Sequence, residues 1–142
     1  MLFRSQIDLP VTAHLPREYV ARDDVRMEAY RRLAAVVEPS DVEDIRVEWQ
    51  DRYGPIPEPA EALLSAARLR AECVRARVTS VSVQKGIARI DGLDLPESRK
   101  VRLKRLVPRA VAKDGGELAV PLSVPPLEVA DALVDLLRQL VD

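Results

Sequence analysis

The side chains of this chain that could act as nucleophiles, general bases or metal ligands are few. It has 142 residues with one cysteine, Cys73, and one histidine, His14. Neither a disulfide nor a Cys/His zinc cluster can be assembled within one chain, and a Ser-His-Asp or Cys-His enzyme would have to use His14. His14 lies between Ala13 and Leu15 in a proline-flanked stretch, where the ordinary reading is a packed or solvated imidazole rather than a general base. Cys73 sits beside an apolar helical stripe and reads as a half-buried structural thiol. Gly54, Gly86, Gly92, Gly115 and Gly116 form neither the G-x-x-x-x-G-K-S/T loop nor G-x-G-x-x-G, so this chain alone is not expected to hydrolyse ATP or to hold a cofactor or metal. Carboxylates are plentiful, but an acid/base pair has to converge on a cleft with its pKa values pushed apart. An enzyme is therefore the least favoured reading.

Charge is segregated along the chain, although the formal net charge is only −1. Between residues 38 and 61 eight acids face Arg46 and Arg52 alone. Between residues 96 and 113 Arg99, Lys100, Arg102, Lys104, Arg105, Arg109 and Lys113 face only Glu97. Each block could be solvated, could meet the other, or could meet a partner. Two functional classes follow, a protein-interaction domain that uses the acids and a nucleic-acid-contacting module that uses Arg99, Lys100, Arg102, Lys104 and Arg105. The second lacks the aromatic platforms that single strands favour, because Phe3, Tyr19, Tyr30, Trp49 and Tyr53 all lie outside the basic block.

One domain is expected from the length, and 47% hydrophobic with 32% charged residues suits a packed core rather than disorder. No apolar run approaches the roughly 18 to 20 residues of a spanning helix, and the N-terminus lacks a signal-peptide h-region. The chain reads as cytoplasmic, with no membrane contact. Residues 1–16, with Pro10 and Pro16 and no sustained period, read as an extended lead-in from an upstream region, and residues 17–142 as the domain proper. A helix is predicted over 24–37, where Met27, Tyr30, Leu33, Ala34 and Val37 recur at helical spacing. Ser40 and Glu43 are placed for a capping box that opens a second helix, which stops at Gly54-Pro55. Pro57 and Pro59 begin a third, with Ala60, Leu63, Leu64, Ala67, Ala71, Val74 and Val78 on one face.

The period then switches to two. Val81 and Val83 before Lys85-Gly86, with Ile87 and Ile90 after it, predict a hairpin over 79–90, and Asp114-Gly115-Gly116 predicts another. Residues 97–107 read as helix, with strand alternation also present, and Pro125-Pro126 start a closing helix with a strong apolar stripe. The expected fold class is α+β, with N-terminal helices, two hairpins in a small antiparallel sheet and a closing C-terminal helix.

The second helix stands out. At about 100° per residue from Asp41, Val42, Ile45, Trp49 and Tyr53 span roughly 40° to 120° and face the core, whereas Asp41, Asp44, Glu48 and Asp51 span roughly 280° to 360°. Such stacked acids repel. The helix macrodipole favours Asp41 and Asp44 near the start, but not Glu48 and Asp51 in the middle and last turns. One turn apart, Glu48 and Asp51 could present a fork to arginine, with Arg52 beside them.

Leu15-Pro16-x-x-Tyr19-Val20, Arg26-x-x-x-Tyr30-Arg31-Arg32-Leu33-Ala34, Glu48-x-x-Asp51-Arg52-Tyr53-Gly54-Pro55-x-Pro57 and Leu64-x-x-x-x-Leu69-Arg70 together resemble the C-terminal domain of bacterial transcription-repair coupling factors. The likeness is closest from about Asp8 to Arg70. It implies a regulatory domain at the end of an ATP-driven DNA translocase that displaces stalled RNA polymerase and recruits nucleotide-excision repair, the motor lying outside this chain. In that family the domain docks on an N-terminal UvrB-like module of the same polypeptide and covers the surface that would bind UvrA. The resemblance places the family's two clamp acids on Glu48 and Asp51, the residues that the helical wheel isolates. Trp49-Gln50 departs from the aliphatic residue that relatives often carry after the glutamate, and the resemblance assigns no role to the basic 96–113 segment.

Overall fold

In the computed structural model, which describes residues 5–141, the order is β1 (Gln6–Asp8), α1 (Asp23–Ala34), α2 (Pro39–Tyr53), α3 (Glu58–Ala76), β2 (Ser80–Gln84), β3 (Ile87–Asp91), α4 (Glu97–Leu106), β4 (Val111–Lys113), β5 (Glu117–Pro121), a short 3-10 turn at Pro126–Glu128 and α5 (Val129–Val141). The α+β class is as predicted, and residues 97–106 are helical. Residues 1–4 of the expected lead-in, Phe3 among them, and Asp142 lie outside the described residues.

The sheet runs β1-β2-β3-β5-β4. Both predicted hairpins form and join edge to edge through β3 and β5, with Ala88 opposite Val120 and Ile90 opposite Leu118. The sheet is mixed rather than purely antiparallel, because part of the lead-in joins it. β1 runs parallel to β2, with Ile7 opposite Val81, and Ser5 Oγ donates to the Val78 carbonyl at 2.6 Å. Further along the same segment His14 N–H donates to the Pro59 carbonyl at 3.1 Å and Leu15 N–H to the Tyr30 hydroxyl at 2.8 Å, which seats Leu15 in the interior. A strand pairing with residues more than seventy positions away carries no local periodicity, so nothing near it in sequence announces it.

Two apolar clusters form the interior. One gathers Leu15, Val20, Leu33, Val42, Ile45, Trp49, Ala60, Leu64 and Ala67 between the lead-in, α1, α2 and the first half of α3. The other packs Leu69, Cys73 and the inward residues of β2, β3 and β5 against Leu133, Val134, Leu137 and Leu140 of α5. α3 belongs to both. It therefore buries Ala62, Leu69, Glu72 and Cys73 in addition to much of the single stripe expected from its period. At the joint Arg68 reaches Asp131 of α5 at 2.9 Å and Glu43 of α2 at 3.7 Å.

Two local expectations change. The α2 capping box is Glu38 with Asp41, not Ser40 with Glu43: Glu38 N–H donates to Asp41 at 3.3 Å, and the Glu38 side chain accepts from the Asp41 backbone. Pro39 is the reason, since a proline at the first helical position forfeits no hydrogen bond and lets the helix begin earlier. In α1, which ends at Ala34 rather than 37, Met27 and Val37 are exposed, and the inward side is Val25, Ala29, Tyr30 and Leu33.

Candidate functional site

The face of α2 that carries the acids is set by what the opposite face buries. Val42, Ile45 and Trp49 are at most 3% exposed, and this turns Asp41, Asp44 and Asp51 into solvent. With the helix beginning at Pro39, only Asp41 lies in the first turn, so Asp44 joins Glu48 and Asp51 outside the part of the helix whose dipole favours a carboxylate.

The C-terminal end of α2 is clamped. The Tyr19 hydroxyl shares its proton between the carbonyls of Gly54 at 2.9 Å and Trp49 at 3.1 Å, and the Tyr19 ring meets Tyr53 edge to face at 5.6 Å. Burial, then the negative charge of Glu61 and neighbouring Tyr53, raise the Tyr19 phenol above its ordinary pKa, so it remains the donor at neutral pH. Gly54, at φ 91°, supplies the backbone geometry that ends the helix there. Arg46 fixes the middle of the helix to α3 through Glu61 at 2.5 Å.

Glu48 and Asp51 then differ in a way that spacing along one helix could not show. Asp51 is exposed and meets no cation among the described residues. Glu48 is only partly exposed, and its carboxylate is held by Arg32 of α1 through Oε2 and approached by Arg52 through Oε1 at 3.5 Å. The reading of Glu48 and Asp51 as an open fork is thus corrected for Glu48, which already has two cations of this chain beside it. The Glu48–Arg52 pair has i,i+4 spacing and was readable from sequence, whereas Arg32 approaches from another helix. Arg52 also lies over the Tyr53 ring, 5.2 Å from its centroid.

Glu48 and Arg52 border a groove of about 550 Å³ between α1 and α2, lined by Arg31, Arg32, Trp49 and Tyr53 among others. A second hollow of about 260 Å³ brings Asp41 and Asp44 beside Arg32 and Ile45. The groove sets Arg31, Arg32 and Arg52 beside Asp24, Glu28 and Glu48, together with Trp49 and Tyr53.

The other candidates lie elsewhere. His14 is exposed. Arg99 and Lys100 of α4 are partly buried, with Lys100 3.4 Å from Glu97, and Arg102 donates to the Gln139 carbonyl of α5 at 2.8 Å. Lys104 and Arg105 point outward. Among the described residues no group of three or more His, Cys, Asp or Glu could hold a metal, and no helix is long and apolar enough to cross a membrane.

Cys73 is fully buried rather than half-buried, and burial, with the adjacent Glu72 charge adding to it, pushes its thiol up to about 12. Native protein should therefore resist a thiol-specific reagent at neutral pH and react at one site per chain once denatured. The unfolded thiol ionises near 9.0 while the native thiol stays neutral up to about 12, so this group's contribution to stability is lost as pH rises through that interval. Rapid labelling of the native chain at pH 7 would contradict this placement.

Comparison with known proteins fits this arrangement. Residues 9–103 match the model of the TRCF domain. A transcription-repair-coupling factor of Mycobacterium tuberculosis (strain CDC 1551 / Oshkosh) is 47% identical over 106 residues, 74% of this chain and 9% of that protein. The one of Escherichia coli (strain K12) is 34% identical over 67 residues, 47% of this chain and 6% of that protein. This chain thus spans less than a tenth of the curated relatives it matches. A crystal structure of the C-terminal domain of a transcription-repair coupling factor superposes with a TM-score of 0.84 over 96% of this chain and 91% of the other, at 16% identity, a likeness of fold.

Proposed function

This chain belongs to the TRCF domain family, and from that premise we propose that it is the autoinhibitory docking domain of a transcription-repair coupling factor, with the acidic face of α2 as its latch. On this reading the domain rests on the N-terminal UvrB-like module of the same polypeptide and masks the surface that binds UvrA. Engagement of RNA polymerase by the parent translocase releases it. The observation that carries the reading is Asp51, a carboxylate exposed on the solvent side of a clamped helix with no cation of its own among the described residues.

On this reading the two acids play different parts. Asp51 is the open half of the fork. Glu48 enters by exchange: Arg32 keeps one oxygen, and the longer contact with Arg52, a partly exposed i,i+4 pair, contributes only about 0.3–0.5 kcal/mol. A guanidinium from the docked module can replace Arg52 at that small cost. Charge-assisted contacts of this kind contribute about 1.5–3 kcal/mol each, and the shared polypeptide supplies a high effective concentration. The latch therefore stays closed without being permanent, and apparent UvrA affinity falls by the fraction of molecules that are open.

In the full-length factor, Glu48→Arg with Asp51→Arg should raise apparent UvrA affinity by about tenfold or more, since each 1.4 kcal/mol removed from the latch shifts the open-to-closed ratio tenfold. Asp51→Arg alone should give most of the gain. UvrA binding that stays at the wild-type level while the domain remains folded would exclude this latch.

A further inference from the structure

The basic block is left over when α2 has been assigned its role, and α4 divides its cations in a specific way. Leu103 is 1% exposed and anchors the helix in the sheet-side cluster. Lys100 is engaged by Glu97, and Arg102 spends a donor on the end of α5. At about 100° per residue from Leu103, Lys104 lies on the flank, and Val101 and Arg105 lie on the opposite side. Lys104 and Arg105 are exposed, as is Arg109 in the turn that follows, and none of the three meets a carboxylate among the described residues. The helix macrodipole favours cations in the last turn, which accounts in part for Lys104 and Arg105, but Arg109 lies beyond the helix end.

We propose that the outward face of α4 and the turn after it, centred on Lys104, Arg105 and Arg109, is a contact surface for the phosphate backbone of duplex DNA. Lys104 and Arg105 are consecutive in the last turn of α4 and Arg109 follows four residues on, and duplex DNA carries a charge per about 1.7 Å of axis, so cations this close in the chain can meet neighbouring phosphates. An acidic protein partner would want a buried apolar or aromatic anchor inside the ring of charge. The centre of this face offers one aliphatic side chain, Val101, 58% exposed. Single strands want aromatic platforms, and the block from 96 to 113 has none. The segregation of charge adds orientation. A polyanion is repelled by Asp41, Asp44 and Asp51 of α2 and attracted by the exposed cations of α4. Contacts to phosphate alone carry no sequence preference.

The test is fluorescence anisotropy of this chain with a short labelled duplex across a salt series. Binding should be independent of sequence, with log K falling against log salt at a slope of about −3 for three neutralised phosphates. Lys104→Gln with Arg105→Gln and Arg109→Gln should flatten that slope and lose about tenfold or more in affinity at low salt, with an unchanged unfolding midpoint because all three side chains are exposed. Arg17→Glu with Arg89→Glu, exposed cations elsewhere on the domain, should leave binding as it was. Three results would overturn the proposal: absence of binding at low salt, equal loss in the Arg17/Arg89 variant, or displacement by polyglutamate as effective as by unlabelled duplex at equal charge. The last would assign the face to an acidic protein instead.

Discussion

Replacing Arg75 and Arg138 together by alanine is expected to lower the free energy of unfolding by about 3–5 kcal/mol, among the largest effects any pair of partly exposed side chains in this domain can have. Glu72 causes it. The carboxylate is 1% exposed where α3 crosses α5, with Oε2 accepting from Arg75 at 3.0 and 3.1 Å and Oε1 from Arg138 at 2.8 Å. With both arginines gone, the charge stays in the interior without a donor. The single Arg138→Ala variant should cost clearly less, because Arg75 still holds one oxygen. Urea unfolding measures both, and for a chain of this size the double variant should melt roughly 10 °C lower. A third variant separates causes. Adding Glu72→Leu to the double replacement removes the stranded charge and fills the space with apolar atoms, which should restore most of the loss. If the triple variant stays as unstable as the double, the arginine stems were stabilising through packing, and the stranded-charge account fails.

Glu72 also marks where sequence reasoning stopped. A glutamate beside an apolar stripe reads as solvated, and nothing local says that α3 is enclosed by two clusters and must bury a second side. The features that were legible share one property: their physics is short-range. Gly54-Pro55 ends α2, Pro57 and Pro59 start α3, Lys85-Gly86 and Asp114-Gly115-Gly116 turn the hairpins, and the apolar stripe of α5 seats it on the sheet, all where expected. The misses were settled at long range. β1 exists because β2 offers it an edge, Met27 lost the core face of α1 to Ala29 and Leu33, and Glu48 found Arg32 only once α1 had packed against α2. The α2 wheel separated acids from core correctly, since both faces belong to one helix. It could not say which acids already had a partner.

Trp49→Ala should destabilise the domain by about 3–5 kcal/mol and, on the docking proposed above, unmask UvrA in the full-length factor as well. The indole is 3% exposed among Leu15, Val20, Leu33, Ile45 and Leu64, so it is the wedge that seats α2 against α1 and α3. Glu48 precedes it directly and Asp51 follows within the same turn, so their placement depends on that seat. Trp49→Leu keeps an apolar wedge with a smaller void and should cost less, with the latch still closed. Together with the charge reversals this separates two routes to an open factor. Asp51→Arg should open the latch with the melting temperature nearly unchanged, because that exposed carboxylate has no cation among the described residues to lose, whereas Trp49→Ala should open it only in step with lost stability. Circular dichroism melts beside UvrA binding on the same four proteins decide the matter. Were Trp49→Ala to cost under about 1 kcal/mol, α2 would be held mainly by Tyr19 and Arg46, and the acidic face would owe its position to the clamp at its end rather than to the core beneath it.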